Sequence, residues 1–223
     1  MTETDPLFDR LPDEERRALR AAARRRRFAR GDTIFYEGDL GDSLHIVDKG
    51  HVAIRISTPL GDTATLTVLV PGDSFGEQAL LDPASRRTAS AVCLGAVETL
   101  AVGQRDFDDL RGRLPAVDRF LVDVLAAQVR RLSAMLLESL HVDADTRIYR
   151  RVLTLAEAFD ADDNGGEHSA ITVTQDDIAG MAGTTRPTVN KALKSAEELG
   201  MVSLSRGRIT VTDRAALSRK ARV

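Results

Sequence analysis

Between Gly31 and Val102 apolar residues recur at about every second position in short runs rich in branched side chains. The runs are Thr33-Ile34-Phe35-Tyr36, Leu44-His45-Ile46-Val47, His51-Val52-Ala53-Ile54-Arg55-Ile56, Thr65-Leu66-Thr67-Val68-Leu69-Val70, residues 88–94 and Val97-Glu98-Thr99-Leu100-Ala101-Val102. A period of two is that of a strand with one buried face. Gly31-Asp32, Gly38-Asp39, Gly41-Asp42, Lys49-Gly50, Gly61-Asp62 and Gly72-Asp73 separate the runs. Short strands punctuated by Gly-Asp turns predict an antiparallel barrel or roll.

On either side of this region the period lengthens to between three and four. Residues 11–29 read as a helix: Asp13-Glu14-Glu15 oppose the dipole at its start, and Leu11, Leu19 and Ala22 give a thin apolar stripe. The arginine run 24–27 is then a solvated, cationic helix end. From Arg105 to Leu140 the pattern is helical again, with Pro115 as a start and Val117, Leu121, Val124, Gln128, Leu132, Met135 and Ser139 in steps of three or four. Leu125, Val129 and Leu136 widen that stripe. So apolar a helix must bury two faces, one on the barrel and one on the same helix of a second copy. Residues 143–159 form a further helix. It is closed by Asp160-Ala161-Asp162-Asp163-Asn164-Gly165-Gly166-Glu167, which mimics half a calcium loop. The twelfth position, which needs a bidentate Glu, is Ile171, so the segment reads as a connector.

The last stretch carries the sharpest local signals. Thr174-Gln175-Asp176-Asp177 is a capping box that opens a helix to about Ala182, and Ala182-Gly183-Thr184 is a tight turn. Thr185 caps a second helix, residues 186–199, which Gly200 closes. This is a helix-turn-helix. Val202-Ser203-Leu204, Ser205-Arg206-Gly207-Arg208 and Ile209-Thr210-Val211 follow as a hairpin with a basic tip, a wing.

Charge supports that reading. The 223-residue chain has a net charge of −3, but residues 170–223 carry nine Lys and Arg against five acids, +4, which leaves −7 for the rest. A basic terminal domain behind an acidic front points to a polyanionic partner. No apolar run is long enough for a membrane span, and the N-terminus lacks the features of a signal peptide, so a cytoplasmic location is expected. One cysteine, Cys93, excludes an internal disulfide framework and a four-cysteine metal site. His45 and His51 have no ligand set around them and read, like Cys93, as ordinary strand residues.

Two regions can carry chemistry. In the second helix of the helix-turn-helix, Arg186, Thr188, Asn190, Lys191 and Lys194 share the leading face. Arg and Lys can donate to guanine, and Asn can pair with adenine. Thr174, Thr188, Lys194, Arg206 and Arg208 suit phosphates, and Thr185 stands at the entry of the same helix. The other region is Pro71-Gly72-Asp73-Ser74-Phe75-Gly76-Glu77-Gln78-Ala79-Leu80-Leu81 with Arg86-Arg87-Thr88-Ala89. Gly76 allows close backbone approach, and the helical turn starting there aims N–H groups at an anion. Arg87 offers a planar donor fork, Thr88 a hydroxyl and an N–H, and Glu77 an acceptor for a ribose hydroxyl.

These residues resemble the cyclic AMP receptor protein and fumarate–nitrate regulator family of bacterial transcription factors, from about Leu11 to Leu217. The family pattern Phe-Gly-Glu-x-Ala/Gly-Leu with Arg-Ser/Thr-Ala eleven residues after the Gly is matched by Phe75-Gly76-Glu77-Gln78-Ala79-Leu80 and Arg87-Thr88-Ala89. The resemblance implies an α+β chain: an antiparallel β-roll of the cyclic-nucleotide-binding type over residues 1–113, a dimerisation helix over 114–141 and a winged helix-turn-helix over 142–223. It implies ligand contacts from Gly76, Glu77, Gln78, Ala79, Arg87 and Thr88, with cyclic AMP the favoured effector and no cofactor. Expected partners are a near-palindromic double-stranded DNA operator, a second copy of the chain and RNA polymerase.

There are two departures. The Thr-Ser pair that holds adenine in cyclic AMP receptors has no clear match. One register of the long helix puts Met135 and Leu136 there and the other Leu132 and Ser133, so Arg131 and Ser133 are the polar candidates. In the recognition helix the base-reading positions fall on Arg186, Pro187, Asn190 and Lys191, with Pro187 where several members have a cytosine-reading Glu. The family's cluster-binding cysteines are missing. An enzymatic alternative, a nucleotide hydrolase using Glu77, lacks a metal-ligand set and a paired base and nucleophile. A further alternative keeps DNA binding and makes the roll a ligand-independent dimerisation scaffold.

Overall fold

The computed structural model describes residues 11–57, 63–81, 84–162 and 170–222. The chain divides into two compact units, one of residues up to Ile56 with Val68–Leu132, the other of Ser57–Thr67 with residues from Ser133 onward.

After α1 (Asp13–Ala22) come eight strands: β1 (Arg24–Phe28), β2 (Thr33–Phe35), β3 (Ser43–Lys49), β4 (Val52–Ser57), β5 (Thr63–Leu69), β6 (Ser74–Phe75), β7 (Ser90–Cys93) and β8 (Val97–Gly103). They form two four-stranded sheets, ordered β1-β8-β3-β6 and β2-β7-β4-β5. The pairs β1–β8, β3–β8, β3–β6, β2–β7 and β4–β7 all run antiparallel, as the alternating pattern and Gly-Asp turns predict. Alternation along β3 and β8 serves two cores. Val47 and Val97 join Val52, Leu69, Phe75, Ala91 and Cys93 in one cluster. Leu44, Ile46, Leu100 and Val102 point the other way, into a cluster with Leu19, Phe107, Phe120 and Leu121 from the helices. Cys93 is buried, and desolvation, with Asp32 adding to it, pushes its thiol up to about 11, so the sulfur stays protonated.

The arginine run is not a helix end. α1 stops at Ala22, Ala23 is extended, and Arg24–Phe28 pair with Ala101–Val97 of β8 as an edge strand. Partners distant in sequence decide this: Arg25 bridges Asp48 and Glu98, Arg27 reaches Glu98 at 3.3 Å, and Arg26 lies over the Phe28 ring at 5.3 Å. A charged strand also keeps a sheet edge from pairing with another chain.

The helical stretch expected from Arg105 to Leu140 holds two helices, α2 (Gln104–Arg111) and α3 (Pro115–His141), the second starting at the proline expected to start it. Proline cannot continue a preceding helix but suits a first turn, so the break falls just before Pro115. The first half of α3 buries Val117, Phe120, Leu121 and Val124, whereas Val122, Val129, Leu132, Leu136, Leu137 and Leu140 are exposed, Leu136 by 61% and Leu140 by 67%. No helix among the described residues is long and apolar enough to cross a membrane.

The second unit contains α4 (Ala144–Asp162), β9 (Ala170–Ile171), α5 (Gln175–Ala182), α6 (Arg186–Glu198), β10 (Val202–Ser205), β11 (Arg208–Val211) and α7 (Arg214–Lys220). β10 and β11 are the expected wing. β9 adds a third strand to it, in the order β10-β11-β9, and α7 follows; the local pattern signals neither. Ile148, Val152 and Leu155 of α4, Ile178 of α5, Val189 and Leu193 of α6 and Leu217 of α7 form the buried interior. Residues 163–169 of the acidic connector lie outside the described residues. Asp160 within α4 accepts from Arg214 at 2.5 Å.

Three arginines of α4 brace this unit. Arg147 donates to Ala182 O at 2.7 Å and Gly183 O at 3.1 Å, and Arg151 to Met181 O at 3.2 Å, at the carbonyl end of α5. Arg150 donates to Ala221 O at 2.8 Å, at the end of α7. Arg150 and Arg151 both pair with Glu138 of α3. Cations at helix C-termini satisfy carbonyls that have no partner within the helix.

Candidate functional site

Arg87 is the centre of the first site. It is 6% exposed, yet it carries a full guanidinium. Nη1 donates to Ser43 O at 2.9 Å and to Gly76 O at 3.0 Å, while Nη2 reaches Asp42 Oδ1 at 3.3 Å and Ser43 Oγ at 3.4 Å. The cation lies 4.0 Å above the Phe35 ring. Its Nε is buried and has no hydrogen-bond partner. Burial lowers the Arg87 pKa, against the raising effects of Asp42, Glu77 and Asp39. A desolvated cation with a donor unspent is suited to receive an anion.

Gly76 makes this arrangement possible. Its φ is +78°, and a Cβ there would collide with Arg87 Nη1 and stand 3.1 Å from Ser43 O. It precedes a single 3-10 turn, Glu77–Leu80, in place of the helical turn expected. Glu77 is buried, Gln78 is exposed, and Thr88 is exposed beside Arg87 in the chain. Ala79 lies within the 3-10 turn. Arg131 of α3 also belongs here: although the residue is exposed, desolvation around its guanidinium lowers its pKa, opposed by the charges of Asp73 and Glu77. The structure thus gathers Gly76, Glu77, Arg87 and Arg131. Ser133 is exposed on α3 and belongs to the second unit.

Sequence reasoning misses the shell around Arg87. Asp42 reads only as part of a turn, Ser43 is not singled out, and Phe35 reads only as an apolar strand residue. A local signal exists for the first two: Asp42-Ser43 sit where a Gly-Asp turn enters a strand, so their polar atoms flank a strand end.

The second site is the helix-turn-helix. Thr174 Oγ1 accepts from the Asp177 N–H at 3.1 Å and Asp177 Oδ2 accepts from the Thr174 N–H at 3.0 Å, the reciprocal pair of the capping box. Gly183 (φ +59°) makes the left-handed turn into α6, which carries Arg186 and Pro187 in its first turn. Thr185 stands at the N-cap position but does not cap with its side chain. Its hydroxyl instead meets that of Thr188 at 3.0 Å, which leaves the first N–H groups of α6 free of that side chain. Val189, Ala192, Leu193 and Ala196 bury one face of α6. Arg186, Asn190, Lys191 and Lys194 are therefore exposed on the other, Thr188 is half-buried, and Thr174, Arg206 and Arg208 are exposed on the cap and wing. Arg186 also lies 3.4 Å from Asp176 of α5.

Each of the two regions lies within a stretch that matches a known domain family. A cyclic nucleotide-binding domain matches residues 25–113, and a Crp-like helix-turn-helix domain matches residues 146–220. The chain is 34% identical over 198 residues, 87% of each chain, to the CRP-like cAMP-activated global transcriptional regulator of Mycobacterium tuberculosis. It is 34% identical over 212 residues to the cyclic AMP receptor protein of Thermus thermophilus, covering 95% of this chain and 94% of the other. Among solved structures, a CRP-family transcriptional regulator from Thermus thermophilus superposes with a TM-score of 0.72 at 27% identity, over 88% of this chain and 96% of the other. The chain belongs to the cyclic AMP receptor protein and fumarate–nitrate regulator family: it is a DNA-binding transcription regulator, not an enzyme, with a cyclic nucleotide-binding domain and a Crp-like helix-turn-helix.

Proposed function

We propose that the chain is a cytoplasmic homodimer whose DNA binding is switched by a cyclic nucleotide, cyclic AMP first, held in the roll. Its working division is an effector domain over residues 1–113, a dimerisation helix over 114–141 and a DNA reader over 142–223. The carrying observation is the buried Arg87 with an unpartnered Nε, beside Glu77 and the Gly76 clearance. Arg87 takes the cyclic phosphate with Thr88 and the backbone from Gly76 to Ala79, Gln78 included, and Glu77 accepts from the ribose hydroxyl. Arg131 steadies Glu77, and the base meets the α3 stretch that includes Ser133. Both relatives named above for cyclic AMP align over most of this chain, which supports that nucleotide over others.

In the reader, Arg186, Asn190 and Lys191 contact base edges. Thr174, Thr185, Thr188, Lys194, Arg206 and Arg208 hold phosphates. The effector acts through its preference for one arrangement of the two readers, the one that sets the recognition helices about 34–36 Å apart in successive major grooves. RNA polymerase is the further partner this implies. Titrating a labelled palindromic operator with and without cyclic AMP tests the coupling, and a nucleotide-induced gain of about five- to 150-fold is expected. Equal affinity in both titrations would sink it and favour the scaffold reading. That second reading draws on the partners Arg87 already has within the protein.

Base reading and phosphate holding are separable. Lys191→Ala should relax discrimination at one base pair by about 1–3 kcal/mol, whereas Arg206→Ala should weaken all sequences alike and reduce the salt slope by about one. Measuring both variants on the operator and on single-base variants across a salt series tells them apart. A uniform loss in both would undo the assignment of Lys191.

A further inference from the structure

One buried titratable side chain in the roll has no part in the site as described so far. His45 on β3 is 1% exposed and lies in a closed polar chain. Its Nδ1 is 3.2 Å from Thr99 Oγ1 of β8, and its Nε2 is 3.2 Å from Ser43 Oγ. The ring stacks on Phe75 of β6 (centroids 5.2 Å, planes 22° apart) and meets Phe35 of β2 at 6.0 Å.

The proton count fixes the direction of this chain. Ser43 has one hydroxyl proton, and it is given to Asp42 Oδ1 at 2.7 Å. Ser43 Oγ therefore accepts from His45 Nε2–H and from Arg87 Nη2–H. His45 is then the Nε2–H tautomer, and its Nδ1 accepts the Thr99 hydroxyl proton. Ser43 holds Arg87 twice, by its carbonyl and by its hydroxyl, and His45 fixes the orientation of that hydroxyl.

We propose that His45 is a positioning residue for the anion-binding arginine, acting through Ser43 to fix the guanidinium in the geometry that receives the cyclic phosphate. The inference rests on the reading of Arg87 given above. It carries a pH signature. The charged groups that act on His45 are Arg87, Arg26 of β1 and Asp42 before β3, while Ser43, Thr99, Phe35 and Phe75 complete its surroundings. Burial first, then the Arg87 and Arg26 charges, hold its pKa down at about 4, against Asp42. An anion on Arg87 offsets one of the lowering charges, so the His45 pKa rises on binding. The complex then takes up protons, and affinity increases as pH falls.

The test is direct binding of cyclic AMP to the full chain by calorimetry, in wild type, His45→Phe, His45→Gln, Ser43→Ala and the His45→Phe/Ser43→Ala double variant. His45→Phe keeps the ring stack and removes both hydrogen bonds, so affinity should fall about tenfold, the scale of one hydrogen bond to a charged group. Ser43→Ala should lose as much, and the double variant little more, because both act along one path. His45→Gln, with a donor and an acceptor but no titratable ring, should stay within about threefold of wild type. From about pH 7 to about pH 5, wild type should gain affinity relative to His45→Gln.

Lowered melting temperatures with unchanged affinity in His45→Phe and Ser43→Ala would reduce His45 to a packing role and overturn the proposal. Parallel pH profiles for wild type and His45→Gln would do the same. Should His45→Phe not fold, Ser43→Ala and His45→Gln still decide it. If wild type binds neither cyclic AMP nor cyclic GMP, or if Arg87→Leu binds as wild type does, the reading of Arg87 itself has failed. That outcome is distinct from normal Arg87-dependent binding that ignores His45.

Discussion

Arg87→Leu is expected to lower cyclic AMP affinity by about a hundredfold to ten-thousandfold. Two hydrogen bonds from a guanidinium to a phosphate contribute about 1.5–3 kcal/mol each, and each 1.4 kcal/mol is tenfold. The low exposure of Arg87 keeps water from substituting for them. The same change leaves Ser43 O and Gly76 O without their donor, at about 1–3 kcal/mol apiece, so a fall in melting temperature should accompany the loss. Arg87→Lys separates these effects: it keeps a charge but not the fork, and should bind more weakly than wild type and better than the leucine variant. Calorimetric titration with cyclic AMP, read beside a thermal melt, measures both quantities. Binding heat unchanged in a folded Arg87→Leu protein would show that the nucleotide sits elsewhere.

The next largest effect is expected on α3. Val122, Val129 and Leu136 are spaced seven residues apart and exposed, and Leu132 and Leu140 lie on the same flank. A seven-residue repeat of apolar positions is what two helices need to pack along a common seam. In a two-fold dimer every substitution counts twice. Leu132→Asp with Leu136→Asp therefore removes four apolar side chains from the proposed seam and adds four charges. Each fully buried leucine contributes about 1.5–3 kcal/mol. Discounted to a combined loss of about 4 kcal/mol for incomplete burial, the dimer should weaken at least about a thousandfold. Sedimentation should then show a monomer, and operator affinity should fall to that of one reader on one half-site. A double variant that still sediments as a dimer would place the self-contact on another surface.

Much of this is legible locally. The capping box at Thr174 and Asp177, the left-handed glycines and the buried stripe of α6 are short-range features, open to a linear reading. The roll is legible for a related reason: Gly-Asp turns and period two state where strands end, though not which strands pair. Reading fails where distant residues decide. The arginines of β1 look like a helix end until Glu98 and Asp48, on other strands, supply their partners. β9 is two residues long and exists through its pairing with Ile209 and Thr210. In the pocket, Arg87 and Glu77 are visible as residue types at a spacing. The chain from Thr99 through His45 to Ser43 spans fifty-four residues at its first link and has no local signature.

The arginines of α4 have a mechanical consequence. The carbonyl ends of α5 and α7 are both tied to α4 by Arg147, Arg150 and Arg151, and the last two also grip Glu138. Opening either end leaves carbonyls and half-buried arginines without partners together, so α4, α5 and α7 should melt in one step. A displacement imposed on α4 would then be carried to the ends of α5 and α7 with little loss, as by a stiff lever.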